Sequence, residues 1–164
     1  MSIIQWNIRG LTANRSDLDI LISKWNPAVF CLQETKIKNP TSIRHYNNHD
    51  IFRLASDGRA TGGVSLYIKN SVPQSPISLN TEIQAVAARV TLHRTVTVCG
   101  TYLPPGQFPT DHELENLCSQ LPKPILWLGD INAHNITWGD DNTDNEGRKL
   151  HEFLSKYDLV PMND

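Results

Sequence analysis

Three segments of this chain repeat apolar residues at i, i+3, i+4 and i+7, and short apolar runs lie between them. That mixture constrains the fold more than any other feature. It calls for amphipathic helices laid on sheet. Leu18, Leu21, Ile22 and Trp25 form the first helical set, which Asn26-Pro27 stops. Leu114, Leu117, Cys118 and Leu121 form the second, opened by a capping box of Thr110 with Glu113. Leu150, Phe153, Leu154 and Tyr157 form the third, with Thr143 and Glu146, or Asn145 alone, as the expected cap.

The strand-like runs are Ile3 to Ile8, Val29 to Leu32, Val64 to Ile68, Val86 to Leu92, Val96 to Tyr102 and Ile125 to Leu128. Val86 to Leu92 and Val96 to Tyr102 alternate apolar and polar residues around His93-Arg94, which reads as an antiparallel hairpin. Ile125-Leu126-Trp127-Leu128 reads as a fully buried strand, and Leu159-Val160 is a last apolar piece. Strands clustered mid-chain with helices around them predict an α/β fold of layered, mixed sheets.

With 164 residues, one domain over 1–164 is expected. No repeat or linker divides it. Fifteen basic against 17 acidic residues leave a net charge of −2, so overall charge does not argue for nucleic acid. The N-terminus lacks the basic start and apolar run of a signal peptide, and no apolar run is long enough to cross a bilayer. No membrane partner is expected, and the location is expected to be intracellular. Cys31, Cys99 and Cys118 sit among apolar neighbours and are expected to be buried, reduced thiols.

The polar residues fall where apolar strands end. The first strand runs into Asn7, Arg9 and Gly10, the second into Gln33-Glu34-Thr35, the hairpin into Tyr102, and the last into Asp130, Asn132 and His134. Sites are commonly built at such exits from a rigid sheet. If strand geometry continues, Asp130 and Asn132 share one face, as do Asn7 and Arg9. A carboxylate beside a carboxamide can take a proton from water and orient that water or an anionic oxygen. With Glu34 as second carboxylate, the oxygen donors suit Mg²⁺ or Mn²⁺ better than zinc. Taken singly, each of these residues has an ordinary structural reading as turn, cap or strand residue; the pattern lies in their combination.

At these residues the chain resembles the endonuclease/exonuclease/phosphatase family, and more narrowly the endonuclease domain of non-LTR retrotransposons of the jockey and R1 type. The matching stretches are Ile4 to Gly10, Leu32-Gln33-Glu34-Thr35, Gly62-Gly63-Val64-Ser65, Thr101 to Pro105, Gly129 to Asn135 with Trp138-Gly139, and Asn145 to Leu150. The resemblance implies a DNase I-like two-sheet mixed β-sandwich flanked by helices, with a divalent metal at one edge of the sheets. It implies that Glu34 and Asn7 lie at the metal, that Tyr102 contacts the scissile phosphate, and that Asp130 orients or deprotonates the attacking water with Asn132 as its phosphate-binding partner. Arg9 then contacts DNA, and His134 stands at the rim of the substrate site.

The implied function is Mg²⁺- or Mn²⁺-dependent hydrolytic nicking of target DNA, nuclear if functional, with a reverse transcriptase domain as partner in a full-length element. The family carries further strands and a Ser-Asp-His motif beyond the position of Asp164, so the resemblance implies a domain incomplete at its C-terminus, with apolar sheet surface left uncovered. Two other readings stand beside the endonuclease: a catalytically inactive retroelement remnant, and a phosphatase of the same fold.

Overall fold

The computed structural model describes residues 1–162; Asn163 and Asp164, the end of the expected domain, lie outside the described residues. Among the described residues, eight strands and three helices follow in the order β1 (Ile3–Asn7), α1 (Arg15–Trp25), β2 (Val29–Gln33), β3 (Tyr46–Ile51), β4 (Val64–Lys69), β5 (Gln74–Ile77), β6 (Gln84–Thr91), β7 (Thr95–Tyr102), α2 (Asp111–Ser119), β8 (Ile125–Asp130) and α3 (Asn145–Lys156). A 3-10 turn, Ile136–Trp138, precedes α3. The strands form two four-stranded sheets, ordered β1-β2-β4-β3 and β5-β6-β7-β8.

Both sheets are mixed. β1 runs parallel to β2 and β7 parallel to β8, while the remaining neighbours are antiparallel. The period of two along each strand divides the core into three clusters. Val29, Cys31, Val64, Leu66 and Ile68 of the first sheet meet Val86, Ala88, Val90 and Val98 of the second. On the other face of β2 and β4, Phe30, Leu32 and Tyr67 are covered by Leu18 of α1. Ala85, Ala87 and Cys99 on the outer face of the second sheet are covered by Leu114 and Leu117 of α2 and by Leu150 and Phe153 of α3. The layers are therefore helix, sheet, sheet, helices: the expected two-sheet α/β sandwich.

The local signals hold in part. The capping box at Thr110 and Glu113 is formed in full. The cap of α3 is not Thr143 or Asn145 but Asp144, whose carboxylate accepts from the Gly147 N–H at 2.6 Å. Of the first helical set only Leu18 is buried, and Trp25 is 57% exposed. The hairpin at His93-Arg94 is β6–β7, and the three cysteines are free and buried.

One expectation about the strands needs correction. The strand at Ile125 is not fully buried: β8 is the outer strand of its sheet and half-buried along its length. Leu159-Val160 forms no strand; Leu159 packs beside α2 and α3 while Val160 is exposed. β3 and β5 carry no apolar alternation, since Asn47, Asn48, His49 and Asp50 fill the one and Pro76 interrupts the other. Both are outer strands, where one ladder is unmade and one flank meets solvent, so neither apolar residues nor a full set of N–H donors is demanded. Among the described residues no helix is long and apolar enough to cross a membrane.

Candidate active site

Parallel pairing builds the site. Because β1 is parallel to β2 and β7 to β8, each pair delivers its C-terminal residues side by side: Asn7 is in register with Gln33, next to Glu34, and Tyr102 is in register with Asp130. β1 and β8, the outer strands of their sheets, touch. The two pairs of strand ends thus meet at one edge of the sandwich.

Four side chains converge there. The Asn7 amide nitrogen donates to Glu34 Oε1 at 2.9 Å and to Asp130 Oδ2 at 2.5 Å. The Tyr102 hydroxyl donates to the same Glu34 Oε1 at 3.1 Å. On the opposite oxygen, Glu34 Oε2, Lys36 Nζ stands 3.2 Å away. Partial burial raises the Glu34 pKa, but the bonds from Asn7, Lys36 and Tyr102 outweigh it and hold the carboxyl below its usual range. The Tyr102 hydroxyl is pushed up to about 12 by burial first, then by its bond to Glu34 and the two nearby carboxylates. Tyr102 is therefore a neutral donor throughout the physiological range.

The backbone here is unusual. Glu34 and Lys36 both have φ of 50°, in the left-handed region that non-glycine residues enter at a cost of ~1–2 kcal/mol each. Arg9 and Asn132 are left-handed too, with φ of 50° and 48°. The strands end at Asn7 and Asp130, so the two-residue period does not carry on and the expected same-face pairing of Asp130 with Asn132, and of Asn7 with Arg9, does not apply. Asn132 instead donates its amide to the Leu103 carbonyl at 3.0 Å, tying the loop after β8 to the loop after β7. Arg9 is exposed, and its N–H donates to Asn7 Oδ1 at 3.2 Å.

His134 stands outside the cluster. Its Nδ1 lies 3.2 Å from Asp140, and that contact raises the imidazole pKa. The Asp140 carboxyl is lowered, first by the Asn135 N–H and then by His134. An open groove of about 990 Å³ runs from Asp130, Asn132 and His134 along β8, walled by apolar residues such as Leu126, Leu128 and Leu154.

Sequence reasoning passed over Lys36 and Gln84. Lys36 follows Glu34 by two residues, and a strand-ending Glu with a Lys two residues on was the available signal. Gln84 opens β6 as a lone polar residue before an apolar strand, and it is buried to 5% exposure.

Among the described residues no group of three or more His, Cys, Asp or Glu is gathered as a metal cage. The donor set is two carboxylates and a carboxamide, Glu34, Asp130 and Asn7. That suits Mg²⁺ or Mn²⁺, which keep several waters and take only one or two protein carboxylates.

Comparison with known proteins gives the same direction. Residues 96–164 match the sequence family described as Endonuclease-reverse transcriptase. The RNA-directed DNA polymerase from mobile element jockey of Drosophila melanogaster is 28% identical over 159 residues, covering 92% of this chain and 17% of that protein. The endonuclease domain of TRAS1, a telomere-specific non-LTR retrotransposon, superposes with a TM-score of 0.79 at 20% identity, over 98% of this chain and 74% of that one. An AP endonuclease from Archaeoglobus fulgidus superposes with a TM-score of 0.62 at 20% identity, over 94% and 70%. The chain spans about a sixth of the jockey protein, and about three quarters of the TRAS1 structure.

Four layers with a polar cluster where the two sheets meet, and the superposition on TRAS1, define the DNase I-like fold of a two-sheet nuclease domain. In sequence, the chain is similar to retrotransposon endonucleases: to the Endonuclease-reverse transcriptase family over residues 96–164 and to the jockey protein over most of its length.

Proposed function

We propose that this domain hydrolyses DNA phosphodiesters with the help of a divalent cation, nicking one strand, and that it acts in the nucleus alongside a reverse transcriptase domain. The observation that supports this most is the cluster of Asn7, Glu34, Tyr102 and Asp130 at the joined strand ends. Glu34, with the Asn7 side chain beside it, would hold the cation, Mg²⁺ or Mn²⁺. A bound cation would supply charge stabilisation on the phosphate in the transition state. Asp130 offers a carboxylate to take a proton from the attacking water, and Asn7 fixes that carboxylate through its amide. Tyr102 keeps its proton and can donate it as a hydrogen bond to a phosphate oxygen in place of Glu34. Asn132 and the exposed Arg9 and His134 flank the cluster as contacts for the DNA backbone.

The experiment is plasmid nicking in Mg²⁺ and in EDTA, comparing the chain with Asp130→Ala and Glu34→Ala. Nicking in Mg²⁺ that falls about 10²–10⁴-fold in each variant is the expected result. Equal nicking by all three proteins would refute the assignment. A second reading, DNA binding without turnover, gives a different outcome. In that case a mobility shift on duplex DNA persists while nicking stays at background in all three.

A further inference from the structure

We infer that Gln84 is a positioning residue for Glu34, acting through the Gly62-Gly63 turn; this rests on the reading of Glu34 as a metal ligand. Gln84 is the first residue of β6, in register with Tyr102 on β7. Its Oε1 accepts a hydrogen bond from the Gly63 N–H at 2.8 Å. The same turn takes up the N–H groups on the C-terminal side of Glu34: Thr35 donates to the Gly63 carbonyl at 3.4 Å and Lys36 to the Gly62 carbonyl at 2.9 Å. Three hydrogen bonds therefore link a buried side chain on the second sheet, through the turn, to the backbone of the two residues that follow Glu34.

That backbone needs holding. Glu34 and Lys36 are both left-handed, and residues stay in that region only where their surroundings over-determine them. The turn itself has little freedom. A Cβ on Gly62 would stand 2.6 Å from Gln84 Oε1, and one on Gly63 would stand 2.7 Å from Thr35 Oγ1. Both glycines have positive φ, 55° and 89°. From the other side the Glu34 and Thr35 carbonyls are held by the Gly10 and Leu11 N–H groups, at 2.8 Å each. Gln84 thus supplies one of two clamps on the segment that carries Glu34. Removing it frees the segment on one side and leaves Glu34 chemically unchanged.

The test combines Mn²⁺ binding, read by electron paramagnetic resonance, with amide hydrogen exchange at Thr35 and Lys36. Gln84→Met keeps the length of the side chain and removes the acceptor; Gln84→Glu restores an acceptor oxygen. Gln84→Met is expected to weaken Mn²⁺ binding about 10-fold, the lower end of what loss of a partner behind a metal ligand costs. It should also speed exchange at Thr35 and Lys36 while amides in the middle of β6 and β7 stay protected. Gln84→Glu should return both readouts close to the original. Native exchange at Thr35 and Lys36 in Gln84→Met overturns the inference, and so does acceleration spread evenly over β6 and β7, which is plain loss of stability. Glu34→Gln separates the two layers. If it abolishes Mn²⁺ binding while Gln84→Met binds normally, the role of Gln84 fails alone. If it leaves Mn²⁺ binding intact, the metal reading fails, and Gln84's role toward a metal fails with it.

Discussion

Asn7 and Asp130 are separated by 123 positions in the chain and joined by one hydrogen bond of 2.5 Å across the two sheets. The same Asn7 nitrogen serves Glu34, so one amide stands between two carboxylates. Replacing it by Ala leaves those carboxylates facing each other without the amide donor they share, though Glu34 keeps Tyr102 and Lys36. The expected loss is about 1–2 kcal/mol at pH 7, in the range for hydrogen bonds to charged groups, read as a shift in the urea midpoint. Glu34's lowered pKa means its stabilisation is present above the ordinary carboxylate range and fades as pH falls through the folded value. The deficit of Asn7→Ala should therefore shrink in acid. Asn7→Asp should lose more than Asn7→Ala without divalent cations, and recover when Mg²⁺ is added; no recovery would speak against a cation between these groups.

Tyr102→Phe removes the hydroxyl that donates to Glu34. If the domain nicks DNA as proposed, turnover should fall about 10²-fold, the typical cost of one donor at a developing charge. With its hydroxyl titrating only near 12, Tyr102 cannot produce a basic limb below pH 10. Rate–pH profiles of the two proteins should thus have the same shape and differ only in height. A basic limb present in one and missing in the other would contradict this.

Gly100 on β7 lies close against the first sheet. A Cβ there would lie 2.3 Å from Cys31 Sγ and 3.2 Å from Val64 Cγ1. Gly100→Ala should cost about 1–3 kcal/mol through overpacking. Cys31→Ala removes the sulfur and should itself destabilise by opening a cavity, yet the double variant should be more stable than the sum of the two losses predicts. Additive losses in a double-mutant cycle of urea midpoints would show that the clash is relieved elsewhere.

His134 and Asp140 form a surface pair whose titration can be followed by NMR. The imidazole pKa is raised, by its hydrogen bond with Asp140 first and by that residue's charge second. A raised histidine contributes stability below its unfolded pKa of about 6.5 and loses it as pH rises through the folded value. Asp140→Asn should bring the His134 pKa back down and remove that part of the pH dependence. A pKa that does not move would place the cause elsewhere.

Much of this arrangement is legible from residues alone. Alternation on β6 and β7 reflects one face toward the sheets' shared core and the other toward α2 and α3. The helical periods survive because each helix has only one covered side. β3 and β5 escaped notice because an outer strand is held by backbone bonds on one flank, which leave no apolar pattern to read. The exit residues Asn7, Glu34, Tyr102 and Asp130 were visible as polar breaks after apolar runs. Asn132 and Arg9 were visible in the same way, but their left-handed backbones break the period from which a common face was expected.

The sequence by itself determined the strands other than β3 and β5, which helical faces are apolar, and which polar side chains stand where strands end, because these depend on neighbours within a few positions. The tertiary structure alone decided that β1 would lie against β8, and so that Asn7 would reach Asp130. It also decided that Gln84 would support the turn beside Glu34. Contacts of this kind depend on sheet order and on the packing of one sheet over the other. Those follow from how the whole set of apolar faces can be buried at once, which no local window of residues contains.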